Sequence, residues 1–154
     1  MQENDKTNLP TEIQSALKDC RLDHVAIAVK DLEAGKKIYE LLGLNFSNQM
    51  ETVESQKVKT LFASIDEHAH LELLEPLNGE GPIQKFLETK GEGIHHLSFQ
   101  VNDIRKKMAE LKAQGIKLLY EEPTLGANNM LVNFIHPKSG GGVLIEIAEK
   151  NSLQ

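Results

Sequence analysis

Residues 22–35, LDHVAIAVKDLEAG, and residues 94–107, IHHLSFQVNDIRKK, are two copies of one pattern, and that repeat decides how the chain is read. Each copy sets a histidine, His24 or His96, at the head of an apolar run. Each closes on an aspartate followed by a bulky aliphatic, Asp31-Leu32 or Asp103-Ile104. The two histidines are 72 residues apart. At nearly the same offset, HLELLEP (70–76) and VLIEIAE (143–149) place Glu72 and Glu146 inside aliphatic runs. The chain therefore reads as a tandem duplication in which each half contributes one histidine early and one glutamate late.

Hydrophobic periodicity gives both halves the same order of elements. In the first half, residues 22–29 predict a strand with His24, Ala26 and Ala28 on one face. Asp31 is a suitable N-cap for an amphipathic helix running through Ile38, Tyr39, Leu41 and Leu42 to Gly43. Strands are expected at 45–53, 57–65 and 70–74, the last ended by Pro76. A short helix over 82–89 links the halves. In the second half, a strand at 94–101 precedes a helix capped by Asp103 and ended by Gly115. Strands at 116–120, 130–135 and 142–147 follow, with HPKSGGG as a turn. The expected fold class is α+β: two tandem βαβββ modules, about 22–78 and 94–149, forming one eight-stranded, mostly antiparallel sheet around a cleft. They make a single domain over 21–150. Residues 1–10 read as a tail, and Ile13, Ala16, Leu17 and Cys20 fall at helical spacing over 11–20.

Composition bounds the rest. The chain has 154 residues, enough for one core without staples, and ordinary charged and apolar fractions. No apolar run approaches the roughly 18–20 residues that span a bilayer, so no membrane partner is expected. The polar opening MQENDKTNLP lacks the pattern of a signal or transit peptide. One cysteine, Cys20, excludes an intramolecular disulfide and suits a reducing cytoplasm. A net charge of −6 without a basic, aromatic-laced stripe argues against nucleic acid as a partner. For an anionic ligand the candidate basic groups are Lys57, Lys59 and Lys138.

A solitary histidine heading an apolar strand is ordinarily a hydrogen-bonded core residue. Two at equivalent positions, each matched by a glutamate among aliphatic neighbours, resist that explanation. An ionised carboxylate in such a strand is costly unless it is paired or bound to metal. His24, Glu72, His96 and Glu146 are therefore the expected ligands of one divalent ion, and cobalt, manganese, zinc and nickel all suit the donor set. Two carboxylates cancel the charge, and an octahedral ion keeps two positions open for a substrate with two oxygens. That favours metal-assisted proton abstraction beside a carbonyl. His95 is expected to face away from His96 and to be structural. His70 is assigned near Glu72, His68 with Asp66 and Glu67 to a solvated turn, and His136 to the turn before Pro137.

These residues resemble the vicinal oxygen chelate superfamily, and within it the methylmalonyl-CoA epimerase family. The resemblance covers about 22–148. It is most specific in LDHVAIAV, HLELLEPL, GEGIHHLSFQVNDI, LLYEEPTLGA and NFIHPKSGGGVLIEI. It implies the glyoxalase-like fold, an acyl-CoA substrate, a homodimer, and interconversion of (R)- and (S)-methylmalonyl-CoA through a metal-stabilised enolate. The family's ligands fall on His24, Glu72, His96 and Glu146, with Glu146 also the catalytic base; some members have Gln in place of Glu72. Two departures stand out. An ungapped alignment sets Thr60 where certain members carry a second catalytic glutamate, which leaves that role to Glu51, Glu54, His70 or a metal-bound water. The family's GAHG stretch is GANN here, at 126–129. The other readings are a glyoxalase-like isomerase, disfavoured because the first strand has Ala26 and no arginine, and a non-catalytic ligand-sequestering protein, disfavoured by the intact His/Glu set. Extradiol dioxygenases leave the fourth ligand unexplained.

Overall fold

Apolar residues alternate along β1 (Cys20–Ala28), so that Ala26 and Ala28 pack toward one face and Val25 and Ile27 toward the other. A computed structural model describes residues 19–152 of the chain. The helix expected over 11–20 lies outside them except at its end, where Cys20 instead opens β1. Then follow α1 (Leu32–Leu41), β2 (Glu51–Val53), β3 (Val58–Ser64), β4 (His70–Pro76), α2 (Gly81–Lys90), β5 (Gly93–Val101), α3 (Ile104–Ala113), β6 (Thr124–Leu125), β7 (Met130–Ile135) and β8 (Ile145–Lys150). The expected βαβββ order appears twice, joined by α2.

The strands form one eight-stranded sheet in the order β2-β3-β4-β1-β5-β8-β7-β6. At its centre β1 and β5 run antiparallel, and each has the last strand of its own half, β4 or β8, parallel beside it. The remaining pairs are antiparallel. The β1–β5 seam is thus the pseudo-twofold axis, and the sheet curls around it. On the outer side α1 covers Val29, Leu61, Leu71 and Leu73, while α3 packs Ile104 and Met108 against Val101 and Ile147. Complete burial of a side chain such as Leu73 or Ile104 contributes about 1.5–3 kcal/mol.

Both helices start as their sequences require. Asp31 accepts the Ala34 N–H at 2.7 Å and Asp103 the Lys106 N–H at 2.9 Å. A second carboxylate meets each helix from the sheet: Glu75 accepts the Leu32 N–H at 2.9 Å, and Glu149 the Ile104 N–H at 2.8 Å. HLELLEP and VLIEIAE therefore each carry two working glutamates. Three residues apart in a strand means opposite faces, so Glu72 and Glu146 point into the cleft while Glu75 and Glu149 anchor helices outside it. Lys59 is engaged with Glu75 at 3.0 Å.

Three expected strands differ. Of 45–53 only β2 is regular, with a single bridge from Phe46 to Ala63. The strand expected at 116–120 shrinks to one bridge, Leu118 to Ile135, and β6 forms further on. Backbone bonds join Leu119 N–H to Phe134 O and His136 N–H to Lys117 O, but at Tyr120 the side-chain amide of Asn133, fully buried on β7, takes the N–H (3.2 Å) and the carbonyl (2.9 Å) and ends the ladder. The third, expected at 142–147, starts three residues late as β8, because the glycine turn runs on through a Gly142 N–H bond to Pro137 O.

Asp103→Ala removes one N-cap bond while Glu149 still holds the helix, so it should destabilise by about 1 kcal/mol. Leu73→Ala should cost 2–5 kcal/mol by leaving a cavity, on the order found for buried leucines. Urea unfolding followed by circular dichroism measures both; equal effects would contradict this division between cap and core.

Candidate active site

The seam between β1 and β5 is where the site is made. Strand pairing skips one residue on each side: Leu22 pairs with Phe99 and His24 with Ser98, passing over Asp23, while Ala26 pairs with His96 and Ile27 with Ile94, passing over His95. The two bulges are related by the pseudo-twofold, and a bulge re-aims side chains out of strict alternation. Asp23 Oδ2 accordingly lies 2.7 Å from His24 Nδ1, and His95 Nδ1 lies 2.9 Å from His96 Nδ1. His95 was expected to face away from His96; the bulge brings it alongside.

With their Nδ1 atoms occupied, both imidazoles present Nε2 to the cleft. His24 Nε2 lies 3.2 Å from His96 Nε2, 3.0 Å from Glu72 Oε2 and 3.6 Å from Glu146 Oε1. His96 Nε2 lies 3.9 Å from an oxygen of each glutamate. All four side chains are buried. Phe62, paired with Glu72 on the neighbouring strand, stands edge-on to His24; Phe134, paired with Glu146, stands edge-on to His96. The duplication thus converges His24, Glu72, His96 and Glu146 on one point with apolar walls.

Electrostatics shows what this point demands. Burial opposes the His24 imidazolium, but hydrogen bonds to Asp23 and Glu72 outweigh it and push its pKa up to about 10. Burial pushes the Glu146 carboxyl up to about 7, with the His24 charge and a Ser98 hydrogen bond pulling the other way. Burial, then the charges of His24 and His95, hold His96 well below its ordinary value. The cluster gathers positive charge to offset its carboxylates, and a divalent cation answers the same demand. Donors about 2.0–2.2 Å from a metal sit roughly 3 Å apart when adjacent, close to the observed spacing. His24, His96 and Glu146 have ligand atoms within 4.8 Å of one another, and Glu72 closes the fourth side. A carboxylate behind His24 is the usual support for a metal-binding imidazole.

A small cavity of about 30 Å³ is lined by all four groups. Through Gln56, Leu74 and His96 it adjoins a larger one of about 160 Å³, walled by Ser55, His95, Tyr120 and Phe134 among others. Thr60 lines neither; it is 1% exposed and its hydroxyl has no hydrogen-bond partner among the described residues. Glu51 accepts the Asn128 N–H at 3.0 Å, tying the first half to the GANN turn. His70 Nδ1 lies 3.3 Å from the Asp23 carbonyl, and its ring stands edge-on to Phe62. His136 accepts the Lys138 N–H within its turn, as expected. The signal for Asp23 and His95 was present as Asp-His and His-His dipeptides at matched positions, but strict alternation concealed it.

A family model described as the glyoxalase/bleomycin resistance protein/dioxygenase superfamily matches residues 23–134. The uncharacterized protein YqjC of Bacillus subtilis is 42% identical over 130 residues, 84% of this chain and 91% of that one. The mitochondrial methylmalonyl-CoA epimerase of Homo sapiens is 39% identical over 131 residues, 84% of this chain and 73% of that one. A Streptomyces coelicolor methylmalonyl-CoA epimerase, solved in complex with 2-nitronate-propionyl-CoA, superposes with a TM-score of 0.81 at 32% identity, covering 86% of this chain and 98% of that one. The chain belongs to the glyoxalase/bleomycin resistance protein/dioxygenase superfamily and, within it, to the family of the methylmalonyl-CoA epimerases.

Both Glu146 and His24 have folded-state pKa values above their ordinary 4.5 and 6.5. Each therefore stabilises the metal-free protein at low pH, and that stability is lost as pH rises, through about 7 for Glu146 and about 10 for His24. His96, shifted down, works oppositely and only below its ordinary 6.5. A bound cation displaces those protons, so metal-loaded protein should gain on the metal-free form as pH rises. Differential scanning calorimetry with chelator or with excess cobalt, from about pH 6.5 to 9, should show a widening gap in Tm. At a hundred- to thousand-fold excess over Kd the gain should be about 3–4 kcal/mol. A gap that narrows with pH contradicts this account.

Proposed function

We propose that this chain is a metal-dependent epimerase interconverting (R)- and (S)-methylmalonyl-CoA. The observation that carries the reading is the convergence of one buried His/Glu pair from each half beside a cavity walled by His95, Tyr120 and Phe134. In this reading His24, Glu72, His96 and Glu146 hold one divalent ion: cobalt, manganese, zinc or nickel. When bound, the ion supplies Lewis acidity, drawing electron density from a substrate carbonyl so that the neighbouring C–H becomes more acidic.

The chain's own residues do the rest. Glu146, buried at the edge of the small cavity, takes the α-proton. Asp23 and His95 keep His24 and His96 oriented. Phe62 and Val132 at the small cavity and Phe134 at the larger one keep water away from the carboxylates. The arginine of β1, Arg21, is turned to His68 and Gln100 and lines neither cavity, and Ala26 is fully buried, which supports an acyl-CoA over a glutathione adduct. Exposed Ile38, Leu41 and Leu42 on and just after α1 support a homodimer. Among the described residues no helix is long and apolar enough to cross a membrane, and we place the enzyme in the cytoplasm, in propionate metabolism.

In deuterium oxide the metal-loaded protein should incorporate deuterium at C2 of methylmalonyl-CoA while interconverting its stereoisomers. Glu146→Gln keeps an oxygen donor without the base, and should bind metal yet lose activity by about 10²–10⁴-fold. Thr60→Ala should matter far less. Turnover of the hemithioacetal of methylglyoxal and glutathione, with no deuterium at C2, would replace this reading with the glyoxalase one.

A further inference from the structure

The site is built by duplication, but its two carboxylates are not held alike. On the first half Glu72 pairs in register with Ala26; on the second, Glu146 pairs in register with Ser98. These are equivalent places, each two residues beyond a ligand histidine and each on the central seam. Ser98 is fully buried and its hydroxyl donates to Glu146 Oε1 at 2.7 Å. Ala26, equally buried, gives Glu72 no such partner. Glu72 approaches His24 at 3.0 Å instead, whereas Glu146 stands 3.6 Å from it.

We propose that Ser98 is the positioning residue that makes Glu146, and not its duplicate Glu72, the base of the reaction. The inference rests on the epimerase reading and deepens it. A carboxylate that both holds a cation and takes a proton must not spend both oxygens on the cation. The short bond from Ser98 restrains Oε1 and fixes the rotation of the carboxylate, so the lone pair that receives the α-proton is presented in one direction. As the C–H bond breaks and the O–H bond forms on Glu146, the electron pair stays with the substrate. Ser98 exchanges no proton with it. Glu72 lacks this restraint and is left to bind.

Ser98→Ala tests this, and Ala26 shows that the register position accommodates alanine. The variant should keep one cobalt per chain but shift the cobalt visible absorption, because Glu146 can rotate. It should also lose roughly 10- to 100-fold in kcat with KM little changed. Ser98→Thr restores the hydroxyl and should recover much of the rate. In the double variant Ala26→Ser/Ser98→Ala the hydroxyl sits beside the wrong carboxylate and should not. Wild-type kcat and an unshifted cobalt spectrum in Ser98→Ala would overturn the proposal alone. So would loss of cobalt stoichiometry in step with activity, which marks a merely structural role. Absence of deuterium at C2 with the wild-type protein would overturn the epimerase reading itself, and the proposal with it.

Discussion

Two carboxylates buried a few ångströms from the same histidine cannot be left to themselves. Removing Glu72 and Glu146 from water costs several kcal/mol each unless positive charge is brought to them, and the centre of the sheet is organised around supplying it. The histidines stand between the glutamates, Asp23 steadies one imidazole and His95 the other, and Ser98 takes up an oxygen of Glu146. The aromatic walls of Phe62 and Phe134 make this compensation necessary by excluding water, and they also make a bound cation effective.

The frame that holds this charge in place is repetitive. β4 and β8 each send one glutamate inward to the centre and another outward to a helix N-terminus, so the strand bearing a site residue is tied to α1 or α3 by the same short segment. The clasp between Glu51 and the Asn128 amide spans the halves away from the seam. At the outer edges the halves differ in strand length, and at the centre they differ in chemistry: Asp23 against His95, Ala26 against Ser98. Packing has kept its symmetry there and chemistry has not.

Much of this was legible in the chain. Duplication exposed His24, Glu72, His96 and Glu146, because a polar residue repeated inside aliphatic strands has no packing explanation. Asp31 and Asp103 announced their helices. The bulges were not legible, since a skipped residue leaves the local alternation of LDHVAIAV and IHHLSFQV intact and appears only when the two strands are paired. The strand expected at 116–120 failed for a related reason: Asn133 satisfies Tyr120 through a side chain 13 residues away, a substitution that local propensity cannot register. Ser98 was visible as a letter, but its meaning depends on lying opposite Glu146 across parallel strands.

The seam also sets the order in which the centre can come into being during synthesis. The first half leaves the ribosome with His24 and Glu72; His96 follows 72 residues behind His24, and Glu146 is later still. Until β5 lies against β1, an ion meeting the nascent chain finds only two of the four proposed ligands, His24 and Glu72, too few to hold it against solvent or competing chelators. In the proposed reading, splitting these four groups across the duplication delays capture until both halves have been made and paired. In that reading a cation is selected by the paired halves and not by either half alone.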